Sequence, residues 1–228
     1  MREIVLDTET TGFDPATGDR IVEIGCVELI DQLPTGKSFQ AYLNPERLVP
    51  PETTKVHGLT DEFLADKPLF AHIVDELLEF IGDSPLVIHN ASFDMKFVNS
   101  ELHRCGRPPL HPARAIDTIE IAKAKIPGAR YSLDELCKRF GIDLSARSKH
   151  GALLDAELTA RVYLELVGGR QTRLVLAPGD GVSVTDEIVT VARVRVVPLA
   201  PRISEQERES HAAFIAKELG ADAVWNWN

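Results

Sequence analysis

The sequence is poor in cysteine, in aromatic residues and in positive charge, and it contains no long apolar run. Its three cysteines, Cys26, Cys105 and Cys137, are scattered and lack C-x-x-C spacing. They read as reduced thiols of the core or surface, not as a disulfide framework or a zinc site. No stretch approaches the roughly 20 apolar residues that a membrane span needs. The chain runs from Met1-Arg2-Glu3 straight into an apolar strand, which leaves no room for a signal peptide, so a cytoplasmic protein is expected. Lysine and arginine number 25 against 35 aspartates and glutamates, a net charge of −10, which argues against a broad basic face for duplex nucleic acid. That deficit still permits an enzyme that handles a few nucleotides at a metal site, where bound cations supply the positive charge. The 228 residues, 44% hydrophobic and 26% charged, suffice for one sizeable core plus an appendage or for two small domains.

Three strand-like segments open the chain: residues 3–8, "RIVEIGCVELID" (20–31) and "KSFQAYLN" (37–44). The short "PTG" at 34–36 suggests a hairpin turn, so the opening reads as an antiparallel meander. A proline-punctuated loop, "NPERLVPPE", precedes a switch to helical periodicity. "TDEFLAD" begins with a threonine cap, and "FAHIVDELLEFIG" carries apolar residues at three- and four-residue spacing before Gly82. A buried strand "PLVIHN" (85–90) leads to the helix "ASFDMKFVNSELHRCG". A short strand at "AIDT" (115–118), the helices "IEIAKAK" and "SLDELCKRFG", and a long helix from about 151 to 167 complete this part. Strands first and alternating α/β units afterwards imply a mixed sheet with helices on its faces. Past Gly168-Gly169 the composition changes. A linker-like "APGDGVS" and an apolar stretch interrupted by arginines precede a helix in which Ser204 and Glu207 form a capping box, expected to be amphipathic. Both tryptophans, Trp225 and Trp227, lie in the last four residues.

At the end of the first strand stands "DTETTG" (7–12). Side chains alternate along a strand, so Asp7 and Glu9 share a face, where like charges repel and burial raises the cost. Alone, the pair favours a solvated edge where both carboxylates face water. Two further segments add chemistry. "HNASFD" (89–94) places Asp94 in the first turn of a helix behind a buried strand, where it also suits the helix dipole. "HGALLD" (150–155) supplies His150 just before the last long helix and Asp155 one turn into it, among Leu153, Leu154 and Leu158. A carboxylate beside an apolar stripe needs a partner, and a hard divalent ion is one. Four carboxylates and a histidine at the ends of elements suit two-metal phosphodiester hydrolysis, with the histidine placed to take a proton from water. His72, His103, His111 and His211 read as surface or helix residues. His89 reads as ordering the strand end, and Asp117 as a cap on the following helix.

"DTETTG", "HNASFD" and "HGALLDAELTA", in this order, resemble the three motifs of the DEDD superfamily of 3′–5′ exonucleases over roughly residues 1–168. The H-x4-D spacing of His150 and Asp155 matches the histidine branch, since the tyrosine branch would want Tyr where Gly151 stands. The resemblance implies a ribonuclease H-like mixed sheet and two divalent ions, Mg²⁺ or Mn²⁺. It implies that Asp7, Glu9 and Asp155 hold the metal carrying the attacking water. Asp7 and Asp94 would hold the second, and His150 would be the general base. "VHGLT" (56–60) is similar to the segment beside the 3′-terminal nucleotide, and Thr10, Thr11, His57 and Phe93 are the expected substrate contacts. Glu23 resembles a recurrent acidic position and receives no catalytic role.

The tail narrows the reading. "QTRLVL" (171–176) fits a sliding-clamp-binding pattern through Gln171, Leu174 and Leu176. Residues 201–228 resemble the segment by which proofreading exonucleases of bacterial replicases dock on the polymerase III alpha subunit, with Phe214, Trp225 and Trp227 as anchors. The expected organisation is an exonuclease domain over 1–168, a linker over 169–200 and a docking tail over 201–228. The expected substrate is a single-stranded 3′ end of DNA, trimmed to 5′-monophosphates. Two alternatives stay open: a free-standing RNA or oligonucleotide exonuclease, and an assembly subunit with an inert site.

Overall fold

In the computed structural model the described residues are 1–145, 147, 149–168 and 204–218. The first strand, β1 (Arg2–Thr10), runs through the first carboxylate motif and pairs antiparallel with β2 (Ile21–Ile30). β2 in turn pairs antiparallel with β3 (Leu33–Tyr42). Helices α1 (Pro51–His57), α2 (Asp61–Leu64) and α3 (Phe70–Ile81) follow. β4 (Leu86–Ile88) then enters beside β1 in parallel, and α4 (Ala91–Arg104) leads to β5 (Ala115–Asp117), parallel to β4. The helices α5 (Thr118–Lys125), α6 (Leu133–Phe140) and α7 (Ala152–Val167) complete this body. The strand order β3-β2-β1-β4-β5 makes the mixed five-stranded sheet that the meander and the α/β units imply.

Alternation along β1 sorts the two faces. Ile4 and Leu6 pack with Phe70, Val74 and Leu77 of α3 and with Phe97 and Val98 of α4. Val5 points the other way and packs with Ala156, Ala160 and Tyr163 of α7. Two residues on from Val5, Asp7 and then Glu9 therefore face α7, whereas Thr8 faces α4. Buried apolar area on both faces, worth about 25 cal/mol per Å² removed from water, fixes the strand that carries the carboxylates.

Three expectations need correction. The β2–β3 turn is at Asp31-Gln32, both with positive φ (50° and 69°), not at "PTG". Two consecutive left-handed residues give the twist a tight hairpin requires. Gly36 (φ 87°) instead lies within β3, where the register shifts opposite Val27–Leu29. The segment read as a loop before residue 58 contains α1, because Pro51 at its first turn has the φ a helix needs and lacks only an N–H that would be unpaired there. The helix near the C-terminus is not amphipathic.

The chain divides into two units, Met1–Val175 and Leu176–Asn228. Of the second, α8 (Glu205–Glu218) is described, and it carries the expected capping box: Glu207 N–H donates to Ser204 Oγ (3.3 Å) and Ser204 N–H to Glu207 Oε2 (2.8 Å). Its apolar residues Ala212-Ala213-Phe214-Ile215 are consecutive and so spread around the helix instead of forming a stripe. Phe214 is 57% exposed. Gln171, Leu174, Leu176, Trp225 and Trp227 lie outside the described residues.

Candidate active site

The cleft at the end of β1 and β4 is lined by Asp7, Thr8, Glu9, His89, Asn90, Phe93, Asp94, His150 and Asp155, and has a volume of about 310 Å³. The four acids arrive on three supports. Asp7 and Glu9 follow from β1, whose Asp7 lies opposite Gly25 of β2. Gly25 also brings in α7: a Cβ there would sit 2.3 Å from the Leu153 nitrogen, so only glycine lets the first turn of α7 rest on the sheet. That contact sets Asp155, two residues on, beside Asp7 and Glu9.

Asp94 comes from the first turn of α4 and accepts a hydrogen bond from Thr8 Oγ1 at 2.7 Å. The α4 start is shaped by Asn90, which is left-handed (φ 71°), and by Asp117. The Asp117 carboxylate accepts from the N–H groups of Asn90 and Ala91 (3.2 and 3.0 Å) and from that of Ile119 (2.8 Å), so it caps two helices. His89 Nδ1 pairs with Thr118 Oγ1 at 2.8 Å, ordering the strand end.

Burial and mutual repulsion dominate the electrostatics. Burial, then the charges of Asp94, Asp155 and Glu9, push the Asp7 carboxyl well above its ordinary range. Burial and then Asp155 and Glu23 push Glu9 up to about 8. Burial raises Asp94 as well, against the hydrogen bond from Thr8. Asp155 differs: burial acts to raise it, but hydrogen bonds from Arg147 and the contact with His150 prevail and hold it below the usual carboxylate range. Arg147, 8% exposed, places Nε 2.7 Å from Asp155 Oδ1 and Nη2 2.7 Å from Oδ2, and pairs with Asp134 through Nη1. Its Nη2 is also 2.9 Å from His150 Nδ1.

A divalent ion fits this donor set. One ligand atom each of Glu9, His150 and Asp155 lie within 4.8 Å of one another, and buried carboxylates forced toward their neutral form are the environment that a hard cation relieves. The four acids expected as ligands thus converge, and His150 sits among them. Of the expected substrate contacts, Phe93 lines the cleft and rests on Phe97 with ring centroids 4.9 Å apart. His57 is buried; its Nδ1 accepts from Leu59 N–H (3.0 Å), and its Nε2 lies beside the Thr10 carbonyl without a hydrogen bond of normal geometry. The side chains of Thr10 and Thr11 are turned away. Both are buried, Thr10 Oγ1 donating to the Gly12 carbonyl (2.6 Å) and Thr11 Oγ1 to Asp19 (3.1 Å). They build the turn after β1, because a threonine hydroxyl next to Gly12 closes that turn locally. Arg147 was not among the residues expected from the sequence. It sits in a polar loop with no periodic signature, and only the three-residue spacing to His150 hinted at it.

A mixed five-stranded sheet carrying such a cleft at its strand ends defines a 3′–5′ exonuclease with a ribonuclease H-like fold. Residues 4–163 match the exonuclease (RNase_T) family model. The chain is 48% identical over 225 residues to the DNA polymerase III subunit epsilon of Rickettsia typhi, covering 96% of this chain and 97% of that one. Among solved structures it resembles exonuclease X in complex with 5′ overhanging duplex DNA (29% identity, TM-score 0.58, 72% of this chain and 90% of that one). It shares its fold with the nuclease domain of 3′hExo, a DEDDh family member bound to rAMP (20% identity, TM-score 0.63, 73% and 91%). The chain belongs to the exonuclease family and, within it, to the group of DNA polymerase III epsilon subunits. Divalent-metal dependence is general to that family.

Proposed function

We propose that this chain is the proofreading subunit of a bacterial replicative polymerase, working in the cytoplasm on the single-stranded 3′ end of DNA. It removes the terminal nucleotide as a 5′-monophosphate with two divalent ions, Mg²⁺ or Mn²⁺. The observation that carries this reading is the convergence of four carboxylates and one histidine, from β1, α4 and the start of α7, in one open cleft. In it Asp7, Glu9 and Asp155 hold one ion, and Asp7 and Asp94 the other. Ions held by these residues would supply activation of a water and stabilisation of charge on the leaving 3′-oxygen. His150 takes the proton of that water on a ring nitrogen, the general-base role that an imidazole suits. The hydrogen bond from Thr8 Oγ1 fixes the rotamer of Asp94, whose side chain lines the cleft. Phe93 offers an apolar wall to the terminal nucleotide, and His57 a contact through its buried Nε2, which has no hydrogen-bond partner among the described residues. No base-reading groups are required, since a mispaired end is selected by its fraying.

Two features support a partnered enzyme. The net charge of −10 fits a subunit that takes its DNA affinity from a polymerase. The relatives are subunits of DNA polymerase III, which supports association with the alpha subunit through residues 201–228. Gln171, Leu174 and Leu176 are proposed to reach the sliding clamp. The test is degradation of 5′-labelled primers, annealed with matched or mismatched 3′ ends, by the wild type and by His150→Gln. The wild type shortens the mismatched primer faster and releases 5′-monophosphates, and the variant loses about 10²- to 10⁴-fold in turnover. Unchanged turnover in His150→Gln sinks the mechanism, and a preference for short RNA over DNA sinks the proofreading role.

A further inference from the structure

Among the described residues, Arg147 is a charged side chain at the cleft that the hydrolytic scheme leaves without a task. Its guanidinium forks both Asp155 oxygens at 2.7 Å, and it is nearly buried. Those oxygens belong to the Glu9–His150–Asp155 group that is spaced for a cation. A guanidinium has no acceptor, so at the 2.9 Å contact Nη2 donates to the lone pair of a neutral His150 Nδ1, a nitrogen that also lies 3.2 Å from Asp155 Oδ2. The same group thereby occupies a ligand's two oxygens and a basic lone pair of the histidine beside it. Among the described residues, the charged and titratable groups facing it are Asp155 from α7, Asp134 and Cys137 from α6, His150 from its own loop and, at longer range, Asp7 and Glu9 from β1 and His89 after β4. The backbone of the loop is fixed at both ends of this arrangement: Arg147 N–H donates to the Leu144 carbonyl (2.9 Å) and His150 N–H to the Val56 carbonyl (3.2 Å).

We propose that Arg147 is a positioning residue that stands in for the metal: it neutralises Asp155 and ties up His150 in the metal-free protein, and an arriving divalent ion displaces it. The inference rests on the two-metal reading above. A dication at Asp155 repels a guanidinium at the same oxygens, so the two exchange, and Asp134, half exposed on α6, remains as a neighbouring counter-charge for the departing side chain. Release of Arg147 at the same step frees His150 Nδ1. Metal loading and arming of the histidine are then one event, and an unloaded cleft keeps its charges paired.

The test is calorimetric titration of the full chain with MnCl₂, alongside thermal melts in chelator and in saturating Mn²⁺, for the wild type and Arg147→Gln. Removing the competitor tightens Mn²⁺ binding about tenfold. The melting temperature of Arg147→Gln falls below wild type in chelator and returns to it in Mn²⁺. Should Arg147→Gln not fold, Arg147→Lys carries the same test: a single ammonium cannot fork both oxygens, so Mn²⁺ again binds more tightly than to wild type, by a smaller factor. Equal or weaker Mn²⁺ binding in the variant, or a melting deficit that persists unchanged in Mn²⁺, identifies a plain structural brace and overturns the exchange alone. A wild-type chain that binds no Mn²⁺ overturns the two-metal reading and the exchange with it.

Discussion

Asp7, Glu9 and Asp94 hold protons at pH values where the unfolded chain has released them, because burial and mutual repulsion disfavour their charged forms. Where the native state binds more protons than the unfolded state, stability falls as pH rises. The metal-free protein is therefore expected to lose stability between about pH 4.5 and 8, the range over which Glu9 is raised, by on the order of 1 kcal/mol per pH unit. Asp155 acts in the opposite sense: its contribution is complete above an unfolded value of about 4 and is lost as pH falls through its lower folded value. Urea unfolding in chelator from pH 5 to 8 checks this, and a flat or rising profile contradicts it. With saturating Mn²⁺ the decline disappears, because the ion binds the deprotonated form. The acidic residues of this site were legible in the sequence because each sits at a recognisable end of a strand or helix. Arg147 was not, since its partners Asp134 and Asp155 come from two helices that only the tertiary fold brings together. Thr10 and Thr11 are substrate contacts only by what the resemblance implies, and their hydroxyls are used within the turn.

Among the elements, the crossing of α7 over β2 decides whether the site exists. Gly25 permits it, and Gly25→Ala would drive a methyl group into the backbone at Ala152–Leu153. The expected result is a loss of about 1–3 kcal/mol in unfolding free energy. Turnover should fall further than stability alone explains, because Asp155 moves with the helix. Chemical unfolding and an oligonucleotide assay on the same preparation measure both, and a variant with wild-type turnover would show that α7 tolerates displacement. The elements themselves were largely readable from periodicity: the helices starting near Phe70, Ala91, Leu133 and Ala152 carry apolar spacing and glycine or polar boundaries. The misses share one cause. Short-range turn chemistry at Asp31-Gln32 and at Pro50-Pro51 has several solutions in sequence, and strand pairing or helix packing selects among them. Gly25 could be read as a strand glycine but not as the seat of α7, since that depends on a contact more than 120 residues away.

At the scale of the whole molecule, one unit carries the cleft and the other carries α8 with its exposed Phe214. The proposed division of labour predicts that deleting residues 201–228 ends co-purification with the polymerase while hydrolysis of short single strands continues. Persistent association would refute the docking role of the tail. Acidic composition across the chain belongs to the same account, because carboxylates that hold ions, and a polymerase that holds DNA, replace the basic surface a solitary nuclease would need. The account's central claim is that the Asp7, Glu9, Asp94 and Asp155 cleft hydrolyses the 3′ end through divalent ions. Its most direct test is the degradation of a 5′-labelled single-stranded oligonucleotide by the wild type and by Asp7→Asn, after exhaustive chelation and after restoring Mg²⁺ or Mn²⁺. The account predicts no shortening in chelator, full recovery in the wild type on adding the ion, and no recovery in Asp7→Asn. Degradation that continues in chelator, or an Asp7→Asn variant that recovers with the ion as the wild type does, would contradict it.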